Sequence, residues 1–122
     1  TMLDDSLPLT PPEWPEWGNP LTDATDYATI AAYSPYENIR AQTYPTLLVT
    51  AGVSDPRVTY WEPAKWVARL RAESQSPNEI LLRTNMSAGH GGAAGRFEYL
   101  EEVAYRYAFL LRAYQIKSSG TG

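Results

Sequence analysis

Two short apolar runs, near 46–51 and 79–84, most constrain the fold of this chain. The first run does not alternate apolar with polar residues, which is typical of a strand buried on both faces of a parallel sheet. Between the runs, residues near 60–73 have the pattern of an amphipathic helix, with Val67 and Leu70 on its apolar side. A crossover of this length joins parallel strands in a right-handed βαβ unit, so the sequence predicts an α/β fold.

Further helices are predicted on both sides of this unit. Residues near 96–115 predict a long terminal helix, because apolar side chains recur there every three or four positions. Residues 23–33 predict a shorter helix on the same grounds. Ser34 followed by Pro35 has the pattern of an N-cap and a proline at the first helical position, which indicates a second helix start.

The first 22 residues are rich in proline and acidic side chains. Pro11, Pro12 and Pro15 argue against a regular helix or a central strand, so we expect a surface loop. This loop should be ordered, because its two tryptophans are costly to leave in water and its prolines restrict the unfolded chain.

Composition argues against several kinds of partner and site. The chain has 122 residues, a net charge of -4 and no cluster of Lys and Arg, which argues against nucleic acid. No apolar stretch is long enough to predict a membrane span. Without cysteine the chain forms no disulfide. With one histidine and no cysteine, we expect no metal site, and we expect no cofactor. The absence of cysteine is compatible with a reducing compartment, so we expect the cytoplasm, with the periplasm as the alternative.

The opening residues TMLDDS do not have the character of a natural start. We therefore expect the chain to be a fragment of a longer one. Residues 117–122 have the composition of a linker and are expected to form a flexible tail.

A carboxylate and an imidazole follow the two predicted strands. Asp55 comes just after the first strand, and His90 comes just after the second, within the glycine-rich stretch SAGHGGAAGR. Because the carboxyl ends of parallel strands meet at one edge of a sheet, we expect these two side chains to lie close together. A carboxylate that accepts the Nδ1 proton of an imidazole leaves Nε2 ready to act as a base.

Such a pair needs a nucleophile, and the chain offers no convincing one. The nucleophilic serine of α/β-hydrolases lies in a G-x-S-x-G turn, and no such motif occurs here. Ser54 and Ser87 each lack one of the two glycines. We therefore expect the nucleophile to lie upstream of Thr1.

Several longer stretches carry a resemblance to a known family. The stretches are MLDDSLPLT with EWGNP, YSPYENI, YPTLLVTAGVSDPRVTYWEPAKWVARLR and SAGHGGAAGRFEYLEEVAYRYAFLL. Together they resemble the C-terminal part of the prolyl oligopeptidase family of serine peptidases, in particular its oligopeptidase B group. The resemblance implies that residues 1–116 are the C-terminal fragment of an α/β-hydrolase catalytic domain. In the family this peptidase domain follows a β-propeller and cleaves short peptides after Arg or Lys.

The resemblance also implies roles for individual residues. Asp55 and His90 match the catalytic aspartate and histidine of the family, and Glu13 matches the acidic residue that pairs with a basic P1 side chain. A second acidic position of that motif is Pro15 here, which puts the strength of the basic preference in question. Arg57 matches a position that binds a substrate backbone carbonyl in some relatives, with a surface ion pair as the alternative.

Two other functions stay open at this point. One is a prolyl or acylaminoacyl peptidase relative, which would want an aromatic pocket wall in place of Glu13. The other is a non-catalytic α/β module in which His90 is idle. For the peptidase, we expect short basic peptides as substrates and the missing N-terminal part of the same protein as a partner. The chain alone should be inactive and should self-associate through its uncovered apolar surface.

Overall fold

The centre of the molecule is a parallel two-stranded sheet joined by a crossover helix. The computed structural model describes residues 2–92 and 95–115, so the predicted tail, 117–122, lies outside the described residues. The elements, in chain order, are α1 (Thr10–Trp17), α2 (Ala24–Tyr33), β1 (Leu47–Gly52), α3 (Trp61–Glu73), β2 (Ile80–Asn85) and α4 (Arg96–Ala113).

The predicted βαβ unit is confirmed, with each strand one residue later than expected. β1 and β2 pair in parallel, in a register that runs from Leu47 opposite Ile80 to Gly52 opposite Asn85. Both strands therefore end at the same level, and the two loops that follow them leave the same edge of the sheet.

A small apolar core holds α3 against this sheet. Val67 and Leu70 of α3 are 1% exposed, and they cluster with Ile39 and Ile80. Partly buried side chains surround this cluster, namely Tyr44, Leu47, Val49, Trp66 and Leu82. A fully buried Val or Leu side chain stabilises a fold by about 1.5–3 kcal/mol relative to the exposed state. On the sheet, the core residues lie in the first half of each strand, from the Leu47–Ile80 pair to the Val49–Leu82 pair.

Residues 10–17 of the proline-rich segment form a helix, so the prediction of a loop is wrong for this part, while the described residues on either side form turns. α1 begins at Thr10, and its first turn contains Pro11 and Pro12. Backbone N–H groups in a first helical turn have no intrahelical partner, so prolines there lose nothing. Only Pro15 lies inside the helix, and Gly18, with a φ of 93°, ends it.

α2 confirms the predicted short helix, but no second helix starts at Ser34. Asp23 caps α2 by accepting hydrogen bonds from the N–H groups of Thr25 and Asp26 at 2.7 and 3.2 Å. Ser34 instead ends α2, and only a turn follows. Asn38 Nδ2 donates to the carbonyl oxygens of Ala31, Ala32 and Ser34, so this turn folds back onto the end of α2.

α4 confirms the predicted terminal helix up to Ala113. Its apolar side chains line up as expected, yet none of its residues is buried. Phe97 and Tyr114 are 83% and 75% exposed, so this chain leaves the apolar face of α4 uncovered. In the described part of the chain, helices lack the combination of length and apolar character needed to cross a bilayer.

Candidate active site

Two loops at the carboxyl edge of the sheet form the site. We call residues 53–59, after β1, the Asp loop and residues 86–92, after β2, the His loop. Val53 donates its N–H to the carbonyl oxygen of Asn85 at 2.9 Å, and Ser54 donates to that of Ala88 at 3.2 Å. These backbone hydrogen bonds continue the sheet pairing beyond the strands and hold the two loops together.

The close approach of the two loops depends on Gly52. A Cβ atom added there would lie 2.3 Å from the carbonyl oxygen of Ala88 and 2.8 Å from that of Gly89. Any side chain at this position would therefore force the His loop away from β1.

Asp55 is oriented by the backbone of its own loop. Its Oδ1 accepts hydrogen bonds from the N–H groups of Arg57 at 2.8 Å and Val58 at 2.9 Å. The turn formed by Asp55, Pro56 and Arg57 thus holds the carboxylate in one orientation, and the side chain is only 10% exposed. The residues Asp-Pro favour such a turn, since aspartate accepts from N–H groups two and three positions on.

His90 completes the arrangement. Its Nδ1 lies 2.9 Å from Oδ2 and 3.2 Å from Oδ1 of Asp55, and its ring is 46% exposed. An ionised carboxylate only accepts hydrogen bonds, so Nδ1 carries the proton and Nε2 holds the free electron pair. The predicted juxtaposition of Asp55 and His90 is present, and the geometry suits a general base.

The protein lowers the pKa of Asp55. Burial acts to raise the pKa of this carboxyl, but the N–H groups of Val58 and Arg57, together with His90, outweigh it. The carboxylate therefore stays ionised well below neutral pH. In that state it favours the Nδ1–H tautomer of His90 and stabilises the imidazolium that forms when Nε2 takes up a proton.

A cleft of about 460 Å³ runs along this edge of the sheet and includes both side chains. Sequence reasoning missed several polar residues that also line this cleft, which are Arg83, Asn85, Tyr99, Glu102 and Arg106. A signal for the last three was present, because Tyr99, Glu102 and Arg106 are three and four residues apart and share one face of α4.

The structure does not bring Glu13 and Arg57 into this cleft. Glu13 lies in α1 and is not among the described residues that line the cleft. Arg57 binds Asp55 through its backbone N–H, and its side chain is exposed. Within residues 2–92 and 95–115, no group of three or more His, Cys, Asp or Glu side chains is placed to hold a metal ion.

A parallel βαβ unit with an Asp–His pair beyond its strands is the arrangement found at the C-terminal end of α/β-hydrolase domains. Comparison with known proteins identifies the family. Residues 1–117 match the prolyl oligopeptidase family of serine peptidases, and the chain belongs to that family.

Two curated relatives are identical to this chain at about half of the aligned positions. It is 54% identical over 111 residues to Protease 2 of Moraxella lacunata. It is 50% identical over 111 residues to dipeptidyl aminopeptidase BI of Pseudoxanthomonas mexicana. Each match covers 91% of this chain but only 16% and 15% of the respective relative.

A solved relative has the same fold. Oligopeptidase B of Trypanosoma brucei, in a closed form with covalently bound antipain, matches with a TM-score of 0.89 and 46% identity. The match covers 97% of this chain and 16% of that one. The chain thus spans about one sixth of the length of its relatives.

Proposed function

We propose that this chain is the C-terminal part of a serine endopeptidase that cleaves short peptides after Arg or Lys. Asp55 and His90 are its share of a Ser-Asp-His triad. The observation that carries the proposal is the 2.9 Å contact between Asp55 Oδ2 and His90 Nδ1 at the edge of a family-typical sheet. Membership of a serine peptidase family supports it independently.

The reaction follows from this geometry. His90 Nε2 takes the proton of a serine hydroxyl while the serine oxygen attacks the scissile carbonyl carbon. The resulting imidazolium, stabilised by Asp55, then gives the proton to the leaving amine, so that an acyl-enzyme forms. Water attacks the acyl-enzyme in the same way and releases the acid and the serine.

The serine belongs to the part of the protein upstream of this chain. Ser87 Oγ donates to Asn85 Oδ1 at 3.0 Å, and neither Ser87 nor Ser54 is hydrogen-bonded to His90. We therefore expect the isolated chain to be inactive, because removal of one triad member abolishes most of the catalytic rate.

The preference for a basic P1 residue is assigned to Glu13. A carboxylate binds a guanidinium through paired, charge-assisted hydrogen bonds, which favours Arg and Lys over neutral residues. Pro15 supplies no second carboxylate, so this preference rests on Glu13, with Glu16 as the residue that could compensate. For Arg57 we propose binding of a substrate carbonyl by its exposed side chain, with a surface ion pair as the alternative.

The main test compares two fluorogenic peptides, one with Arg and one with Pro at P1. The full-length protein that contains this chain should cleave the Arg peptide, and His90→Ala should abolish the cleavage. Preferential cleavage of the Pro peptide would favour a prolyl peptidase, and an N-acetylated substrate tests the acylaminoacyl alternative. Failure to cleave any of them would favour a non-catalytic module, and cleavage by the isolated chain would show that the nucleophile lies within this chain.

A second experiment tests Glu13. Glu13→Gln in the full-length protein should lower kcat/KM for the Arg peptide by about tenfold or more, since hydrogen bonds to charged groups contribute about 1.5–3 kcal/mol. Glu16→Gln, on the same helix, is the matched control. Equal effects of the two substitutions would contradict the assignment to Glu13.

The compartment is part of the same proposal. We place the enzyme in the cytoplasm, with the periplasm as the alternative, and fractionation of cells that produce the full-length protein distinguishes the two.

A further inference from the structure

The side-chain amide of Asn85 is used in two directions. Its Oδ1 accepts hydrogen bonds from the N–H of Ser87 at 2.9 Å and from the hydroxyl of Ser87 at 3.0 Å. Its Nδ2 donates to Oε1 of Glu102 at 2.7 Å. Because both ends of the amide are engaged, Asn85 ties the start of the His loop to α4.

Glu102 also reaches the other end of the His loop. A Cβ atom on Gly92 would lie 3.3 Å from Glu102 Oε2, so the carboxylate lies beside the space that a side chain at this position would enter. Gly92 has a φ of 84°, and its N–H donates to the carbonyl oxygen of Gly89 at 3.2 Å. His90 therefore lies between Ser87, which is hydrogen-bonded to Asn85, and Gly92, which lies near Glu102.

We propose that Asn85 and Glu102 are positioning residues for His90. The hydrogen bond between Asn85 and Glu102, which we call the bracket, joins β2 to α4. It fixes the position of the His loop relative to the end of the sheet. The pair is not hydrogen-bonded to the imidazole, and it acts on His90 through the loop backbone. This inference rests on the proposed function, because the bracket is expected to affect the rate of proton transfer at His90.

The exposure of His90 makes such support necessary. The ring is 46% exposed, and Asp55 is the side chain that holds it. A displacement of about 1 Å in a catalytic group can lower a rate by about 100-fold. A loop that contains several glycines needs contacts from outside to keep Nε2 within that tolerance.

The test exchanges the donor and the acceptor of the bracket in two steps, one residue at a time, in the full-length protein. Asn85→Asp retains the acceptor for Ser87 but turns the donor toward Glu102 into a second carboxylate oxygen. We expect kcat for the Arg peptide to fall by about 10- to 100-fold with little change in KM. Adding Glu102→Gln restores a donor opposite an acceptor and should recover most of kcat. Glu98→Gln, an exposed position one turn earlier on α4 that does not line the cleft, is the matched control and should leave kcat unchanged.

Amide hydrogen exchange gives a readout that does not need activity. Exchange in the His loop should be faster in Asn85→Asp and should return toward the wild-type rate in the double variant. If Asn85→Asp fails to fold, Glu102→Ala replaces it and should likewise accelerate exchange in the His loop.

The outcomes separate the two proposals. Absence of any peptidase activity in the wild-type protein would overturn the proposed function, while the exchange data would still decide the bracket. Unchanged exchange in the His loop would overturn the bracket. So would a loss of kcat that the double variant does not rescue, since a general loss of stability explains that result.

Discussion

The carboxylate of Asp55 accepts hydrogen bonds from two backbone N–H groups of its own loop, in addition to its contact with His90. These bonds come from residues two and three positions further along, so the local sequence orients the carboxylate. The partner of the carboxylate is 35 residues away in the chain, so only the parallel pairing of β1 and β2 brings the imidazole to it.

The first prediction concerns the charge of this carboxylate. Asp55→Asn in the full-length protein should lower kcat by about 10⁴-fold, because an amide that donates to Nδ1 selects the wrong tautomer of His90. Steady-state kinetics on the Arg peptide measure the effect, and the exposed Asp5→Asn is the control. A loss of less than about tenfold would show that Asp55 does not orient His90.

The second prediction concerns pH. The pKa of Asp55 lies below its ordinary value of 3.8, first because Val58 and Arg57 donate to it strongly enough to overcome burial. A lowered folded-state pKa stabilises the protein above the unfolded-state value, and this stabilisation is lost as the pH falls through the folded-state pKa. Urea midpoints of wild type and Asp55→Asn should therefore differ most above about pH 4 and converge at lower pH. A difference that grows on acidification would contradict the assignment.

At the scale of elements, the two loops approach closely because β1 ends in a glycine. The backbone bonds from Val53 and Ser54 to the residues after β2 require this approach. The sequence placed Asp55 and His90 beyond their strands, but it did not indicate that Gly52 would contact the backbone of the His loop.

The third prediction uses two glycines that differ in their surroundings. Gly52→Ala should separate the loops, cost about 1–3 kcal/mol of stability and lower kcat, because its Cβ would overlap the carbonyl oxygen of Ala88. Gly91→Ala is the matched control for stability, since a Cβ there meets no atom within 4 Å. Thermal unfolding of the full-length variants measures the loss of stability, and kinetics on the Arg peptide measure the loss of kcat in Gly52→Ala. Equal losses of stability in the two variants would rule out the close approach as the cause.

α1 shows why an element can be misjudged from composition. The number of prolines predicts that this segment is not helical, yet Pro11 and Pro12 lie in the first turn of α1, where proline is compatible with a helix. The placement of prolines within an element matters more than their number, and that placement depends on where the helix begins.

At the scale of the whole molecule, the apolar side chains on one face of α4 are exposed to solvent. Along α4, Tyr107 and Leu111 are 64% and 47% exposed, and they lie one turn apart on the same face. Apolar patches of this kind in a soluble protein mark an interface. We expect the rest of the full-length protein to cover this face.

The fourth prediction follows for the isolated chain. It should self-associate, and Tyr107→Lys combined with Leu111→Lys should shift it toward the monomer by breaking the apolar face. Thr43→Lys combined with Gln75→Lys adds the same charge at exposed polar positions and is the control. Sedimentation velocity at several concentrations measures the change. A wild-type chain that stays monomeric at all concentrations would contradict the prediction.

The sequence by itself determined the βαβ unit, the terminal helix and the pairing of Asp55 with His90. These follow from local periodicity and from the rule that parallel strands end at one edge of a sheet. The roles of Glu13 and Arg57 came only from resemblance to the family and remain proposals, because neither residue lines the cleft.

Only the tertiary structure decided how the His loop is held. The close approach of Gly52 to Ala88, the hydrogen bond of Asn85 to Glu102 and the proximity of Glu102 to Gly92 join residues from different elements. No periodicity encodes such contacts, because they depend on how far apart the packed strands and helices lie. The physical reason is that local pattern determines which face a residue occupies, whereas the distance between two faces is set by the packing of all the elements together.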